Sequence, residues 1–135
     1  DVQLYVEIHN MERSEHGALD LVWNNTLANV AQSWADKCTN QHSGGTLGTF
    51  GENLAAGTGQ FNTSDVLGLW NNEEPQYNAV DPQASHWTQV VWKGTSDLGC
   101  AVATCPAGSI FHPQYGAAQY YVCEYWPQGN IEGEY

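Results

Sequence analysis

Leu27, Val30, Ala31, Trp34, Ala35 and Cys38 fall at i, i+3, i+4, i+7, i+8 and i+11, the spacing that aligns side chains along one face of an α-helix. A stripe this apolar has to be covered, so the fold must be built against that helix. Asn24 and Asn25 just before it offer the side-chain oxygen that a helix start needs. Cys38 closes the stripe, a position that suits a structural disulfide better than a reactive thiol. Other apolar segments are available to cover it. Val2 to His16 carries Leu4, Tyr5, Ile8 and Met11 at helical spacing, with Gly17 as the stop. Arg13, one of only three cations in the chain, is expected to anchor something inward from that helix. His9 and His16, on the same segment, read as surface or structural residues. Leu19 to Trp23, Leu98 to Ala103 and Gln119 to Tyr125 read as strands. Val66, Leu67 and Trp70 form the face of another helix, capped by Thr63 or Ser64, and Glu73 follows near that face. A final helical turn carries Trp87, Val90 and Val91, starts at His86 and ends by Gly94. Between these elements, 39–60 is glycine-rich and polar and reads as a long loop. Residues 75–84, with Pro75 and Pro82, read as another.

Composition narrows the possible partners. The chain has 135 residues, suited to one domain over 1–135 that buries roughly two thirds of its unfolded surface. It has 15 acidic residues against 3 basic ones, a net charge of −12. Such a field repels phosphate backbones and anionic headgroups, so nucleic acid is excluded as a partner. No apolar run approaches the about 20 residues of a membrane span. Asp1 opens the chain with no basic-then-apolar leader before it, as expected of a mature or trimmed form. Cys38, Cys100, Cys105 and Cys123 contain no Cys-x-x-Cys pair, which argues against zinc as the reason for four cysteines. Together with the sequons at Asn24 and Asn62, the even cysteine count points to an oxidised, secreted, glycosylated protein. Four cysteines allow three connectivities.

The chemistry-bearing strings are His9-Asn10-Met11-Glu12-Arg13, Gly51-Glu52-Asn53-Leu54, His86-Trp87-Thr88-Gln89-Val90-Val91-Trp92, and Tyr120 through Ile131. In that order they resemble the motifs of the CAP superfamily. It takes in cysteine-rich secretory proteins, insect antigen 5 and plant pathogenesis-related class 1 proteins. The spacing of Cys38 and His42 is one the family also uses. Glu124 departs from the last motif, where a neutral polar or basic residue is the pattern. The resemblance implies an α+β fold, a three-layer α-β-α sandwich around a small antiparallel sheet. It also implies that His42, Glu52, Glu73 and His86 converge in a cleft able to hold a divalent cation, zinc fitting the donor set. With the strand reading, it implies disulfides Cys38–Cys100 and Cys105–Cys123.

Function divides into two classes. The family resembles secreted, monomeric binding or defence proteins, some carrying sterols or fatty acids, with the loop at 75–84 as one contact surface. Here that loop offers Tyr77 with Ala79 and Val80 beside it, one ring only, so weak sterol binding is expected. The alternative is a metal-assisted hydrolase or protease in the same cleft, or Ser43 acting as a nucleophile beside His42. No helical His-Glu-x-x-His and no Gly-x-Ser-x-Gly elbow supports that alternative, and binding is the preferred reading.

Overall fold

The two longest strands, β3 (Asp97–Cys105) and β4 (Ala118–Trp126), pair antiparallel along their whole length and form the middle of the sheet. This computed structural model describes residues 2–134. Strand β2 (Gly51–Thr58) pairs antiparallel to the far side of β4, and the two-residue β1 (Val22–Trp23) pairs parallel to the start of β3. The order is β1-β3-β4-β2. Around the sheet lie α1 (Val2–Ser14), α2 (Asn25–Ala35), α3 (Thr63–Asn71) and the short α4 (His86–Val90).

Alternation along β4 sorts the core into two layers. Tyr120 and Val122 point to α2, where they meet Ala31, Ala35, Ala101 and Cys105. Tyr121, Cys123 and Tyr125 point the other way, into a cluster with Tyr5, Val66, Leu67, Trp70, Val90 and Leu98. Helix, sheet and helices therefore stack in the expected three layers. On the α2 side the helix backbone rests directly on Gly99, where a Cβ would come within 2.2 Å of the Ala28 nitrogen.

Three readings need correction. The disulfides are Cys38–Cys105 and Cys100–Cys123, and neither expected pair forms. The register sets Cys100 opposite Cys123 on β4, both on the α1/α3 face, whereas Cys105 emerges on the α2 face beside Cys38. Each bridge closes a loop worth roughly 3 to 4 kcal/mol in the chain-entropy account. Next, residues 51–58 within the expected loop are a strand, held at the sheet edge by pairing with the Tyr-rich β4. Finally, α3 is capped by Asn62 in a capping box with Asp65, not by Thr63 or Ser64.

Buried polar groups fix α1 to the rest. The Arg13 guanidinium, fully enclosed, donates to the carbonyls of Leu19, Val90, Trp92 and Thr95 at 2.7 to 3.0 Å. It thus ties the end of α1 to α4 and the turn after it. His9 is equally enclosed: its Nδ1 meets the Tyr5 carbonyl at 2.8 Å and its Nε2 the Tyr125 hydroxyl at 2.7 Å. A carbonyl only accepts, so Nδ1 carries the proton and Nε2 accepts from the tyrosine. Burial holds this imidazole down at about 4, so it is neutral in the fold. Asn53 Nδ2 then bonds both the Tyr125 oxygen and the His86 carbonyl, at 3.2 and 3.1 Å, extending the chain of bonds into the candidate site.

Candidate functional site

His42, Glu52, Glu73 and His86 are placed as two histidine–carboxylate pairs. In the first, Glu52 on β2 accepts from His42 Nδ1 at 3.0 Å and from the Ser43 amide at 2.8 Å, both on Oε1. Its Oε2 accepts from the Ser43 hydroxyl at 2.8 Å. In the second, Glu73 Oε2 faces His86 Nδ1 at 2.7 Å, and its Oε1 accepts from the Trp87 amide at 3.1 Å. Ser85 caps α4 and thereby sets the direction in which His86 leaves the helix, its ring stacked 5.7 Å from that of Trp70. Asn53, next to Glu52 in sequence and bonded to the His86 carbonyl, links the two pairs. Among the described residues, no three of these four have ligand atoms all within 4.8 Å of one another.

An ionised carboxylate can only accept, so in both pairs Nδ1 donates, and a neutral ring then presents its Nε2 lone pair. Carboxylates commonly orient metal-bound imidazoles in this way. Each ring thus offers one Nε2 donor of the kind a divalent cation takes, with Glu52 and Glu73 orienting the rings. Ser43 gives its hydroxyl proton to Glu52 rather than to a histidine, so His42 and Ser43 are not arranged as base and nucleophile.

Glu52 has a further neighbour, the residue that departs from the last motif. The β2–β4 register places Glu124 directly across from it, 1% exposed. Burial first, then the bond to Glu52 and its charge, push Glu124 up to about 10, so it is a neutral acid in the fold. Burial works to raise Glu52 too, but bonds from Glu124, Ser43 and His42 outweigh it and hold that group below the ordinary carboxylate range.

Of two cavities in the structure, one is lined by His42 and Glu52 and the other by none of these groups. One of about 340 Å³ is lined by His42, Ser43, Glu52, Gln89 and backbone of the glycine-rich loop. The other, about 530 Å³, lies between the end of α1 and α4, and its walls include His16, Tyr77, Trp87, Val91, Trp92 and Lys93. Tyr77 packs against Trp87 with ring centroids 5.5 Å apart, whereas Ala79 and Val80 are exposed and do not line this cleft. At its edge, His16 Nε2 lies 2.7 Å from Glu74 and 3.3 Å from Glu12, without hydrogen-bond geometry to either.

The model of the cysteine-rich secretory protein family, CAP, matches residues 6–125. The chain belongs to this family. It is 41% identical over 140 residues to fruiting body protein SC7 of Schizophyllum commune, covering 97% of this chain and 66% of SC7. It is 36% identical to pathogenesis-related leaf protein 4 of Solanum lycopersicum, covering 98% of this chain and 80% of that one. The chain thus spans just under two thirds of the SC7 length. Among solved structures, NaASP2 with Zn²⁺ shares the fold at a TM-score of 0.75 and 21% identity, over 98% of this chain and 82% of that one. Within the CAP fold, the His86–Trp92 motif is α4 and its flank, and the last motif is the end of β4. The two motifs meet where Thr88 donates to Asn130 and where Gln89 accepts from the Gly129 amide.

Proposed function

We propose that this CAP chain is a secreted protein of the pathogenesis-related class 1 type that binds a sterol or fatty acid outside the cell, in an effector or defence role. The observation that carries this reading is the cleft of about 530 Å³ walled by Tyr77, Trp87, Val91 and Trp92. It falls in the size range of small-molecule sites, where apolar contact contributes about 25 cal/mol per Å² buried. Lys93 on the lining suits the carboxylate of a fatty acid. The 75–84 loop brings only Tyr77 to this wall, which argues for weak sterol binding. Quenching of Trp87 and Trp92 fluorescence by a fatty acid and by a sterol tests the proposal. Saturable quenching by the acid, weakened roughly thirtyfold by Tyr77→Ala, is expected, since half of one ring's area is worth about 2 kcal/mol. No saturable response to either lipid refutes it.

The same reading includes a divalent cation, zinc, on the Nε2 atoms of His42 and His86. The Nδ1–carboxylate bonds support it, because they leave both lone pairs available. Zinc titration calorimetry is expected to show binding that His86→Ala abolishes. Equal heats in the variant refute it. Of the two sequons, Asn62 is exposed, whereas Asn24 already uses its Nδ2 to donate to Asp97 at 2.9 Å. Glycan mapping after expression in a glycosylating host is therefore expected to find Asn62 modified and Asn24 largely free.

A further inference from the structure

We propose that Glu12, Glu15 and His16, at the end of α1, form a second cation site, separate from His42 and His86 and suited to manganese(II). The three stand at i, i+3 and i+4, the spacing that gathers side chains on one side of a helical turn. One imidazole nitrogen and two carboxylate oxygens there lie within 4.8 Å of one another. Glu74, in the single turn Glu74–Gln76, adds a third carboxylate 2.7 Å from His16 Nε2. The backbone beneath them is fixed. Arg13 donates to four carbonyls, and its own carbonyl accepts from the His16 and Ala18 amides at 3.0 Å.

His16 Nε2 points to an ion rather than to a solvated acidic patch. The atom is enclosed and has no hydrogen-bond partner, although Glu74 lies at 2.7 Å and Glu12 at 3.3 Å. An enclosed polar atom left unbonded is costly, and a coordinate bond satisfies it. The two separations bracket the distance of about 3.0 Å between adjacent ligands set about 2.1 Å from an octahedral ion. Trp87 aims both ligands: its Nε1 donates to Glu12 Oε2 at 3.1 Å, and its ring packs edge-to-face on His16 with centroids 5.1 Å apart. Outer partners of this kind hold ligands ready for a metal. Among the described residues the ion pairs all involve histidine, so no Lys or Arg offsets these carboxylates. Mostly oxygen donors with one nitrogen suit manganese, whereas the imidazoles of His42 and His86 suit zinc. His16 also lines the larger cleft, so the ion sits beside whatever that cleft takes up.

The test needs neither zinc nor lipid and so stands apart from the readings above. Manganese(II), which is paramagnetic, is titrated into the ¹⁵N-labelled chain at neutral pH, and broadening of amide signals locates it. Broadening is expected first at 12–18 and around Glu74. It should saturate, and it should persist in a His42→Ala/His86→Ala variant. Glu15→Gln, at an exposed position, should weaken binding at least about tenfold. Glu7→Gln removes the same charge from an exposed position about 12 Å earlier along α1, beyond the screening length, and should change affinity less than about twofold. Broadening centred on His42 and His86 would overturn the proposal. Equal weakening by Glu7→Gln and Glu15→Gln would also overturn it, because it would show diffuse attraction to a chain of net charge −12.

Discussion

The two histidine–carboxylate arms make the same bond with different support around the ring. In the His86 arm the ring leaves a capped helix and stacks on Trp70, itself 2% exposed, and is 38% exposed against 24% for Glu73, which follows α3. In the His42 arm the carboxylate is the fixed partner. Glu52 is 7% exposed on a paired strand, and the His42 ring is 62% exposed on a glycine-rich loop. A preorganised site needs each ring oriented, and these arms reach that condition by packing in one case and by a hydrogen-bond cage in the other. Damage to the core should therefore travel to His86, and damage to the cage should reach only His42.

The largest effect should follow from Trp70→Ala. It empties the wall on which His86 stacks and is expected to cost about 3 to 5 kcal/mol in chemical denaturation. In the surviving folded fraction the His86 tautomer should mix while His42 keeps its own. Equal disturbance of both rings would break the distinction between the arms.

Next in size is the pH dependence. Glu124 is raised to about 10 in the fold, so the unfolded chain loses its proton first, and stability falls as pH rises from about 4.5 toward 10. By neutral pH the loss is on the order of 3 kcal/mol, and Glu124→Gln should remove that slope. His9 works in the opposite sense. Its folded value of about 4 lies below the unfolded one, so its contribution is complete above about pH 6.5 and is lost as pH falls toward 4. Denaturation midpoints of the parent chain and Glu124→Gln across pH 4 to 8 check both signs. A parent curve that climbs steadily through pH 8 would contradict the assignment of Glu124 as a neutral acid.

The smallest effects separate the rings themselves. His86→Ala loses the stack on Trp70 and the bond to Glu73 and should cost about 1 to 2 kcal/mol. His42→Ala, at an exposed position, should stay within about 0.5 kcal/mol of the parent.

What the sequence disclosed follows the same physical division. The α2 stripe was legible because a helix writes its buried face as a period, and Arg13 because a rare cation on such a face must be solvated internally; on α1 the buried face is Tyr5, His9 and Arg13, and Met11 of the expected stripe is 68% exposed. β2 was hidden, since Gly-Glu-Asn-Leu-Ala-Ala-Gly-Thr has little strand propensity of its own and is ordered by the partner it pairs with. The disulfides turned on one boundary. With β3 ended at Ala103, Cys105 had no face; once the strand runs to Cys105, five residues from Cys100, the two must point to opposite sides. His42, Glu52, Glu73 and His86 were named through motifs whose members lie far apart in sequence, and their division into two pairs needed coordinates. Glu124 was visible as a departure from a motif, but its role depends on register, which no local pattern encodes.

The central claim is that both rings donate through Nδ1 to their glutamates and leave Nε2 unprotonated. Long-range ¹H–¹⁵N correlation spectra of the histidines at about pH 8, where free imidazole is neutral, test it most directly. The account predicts His42 and His86 both in the Nδ1–H form, with Nε2 showing the shift of a bare acceptor nitrogen. Either ring in the Nε2–H form would contradict it.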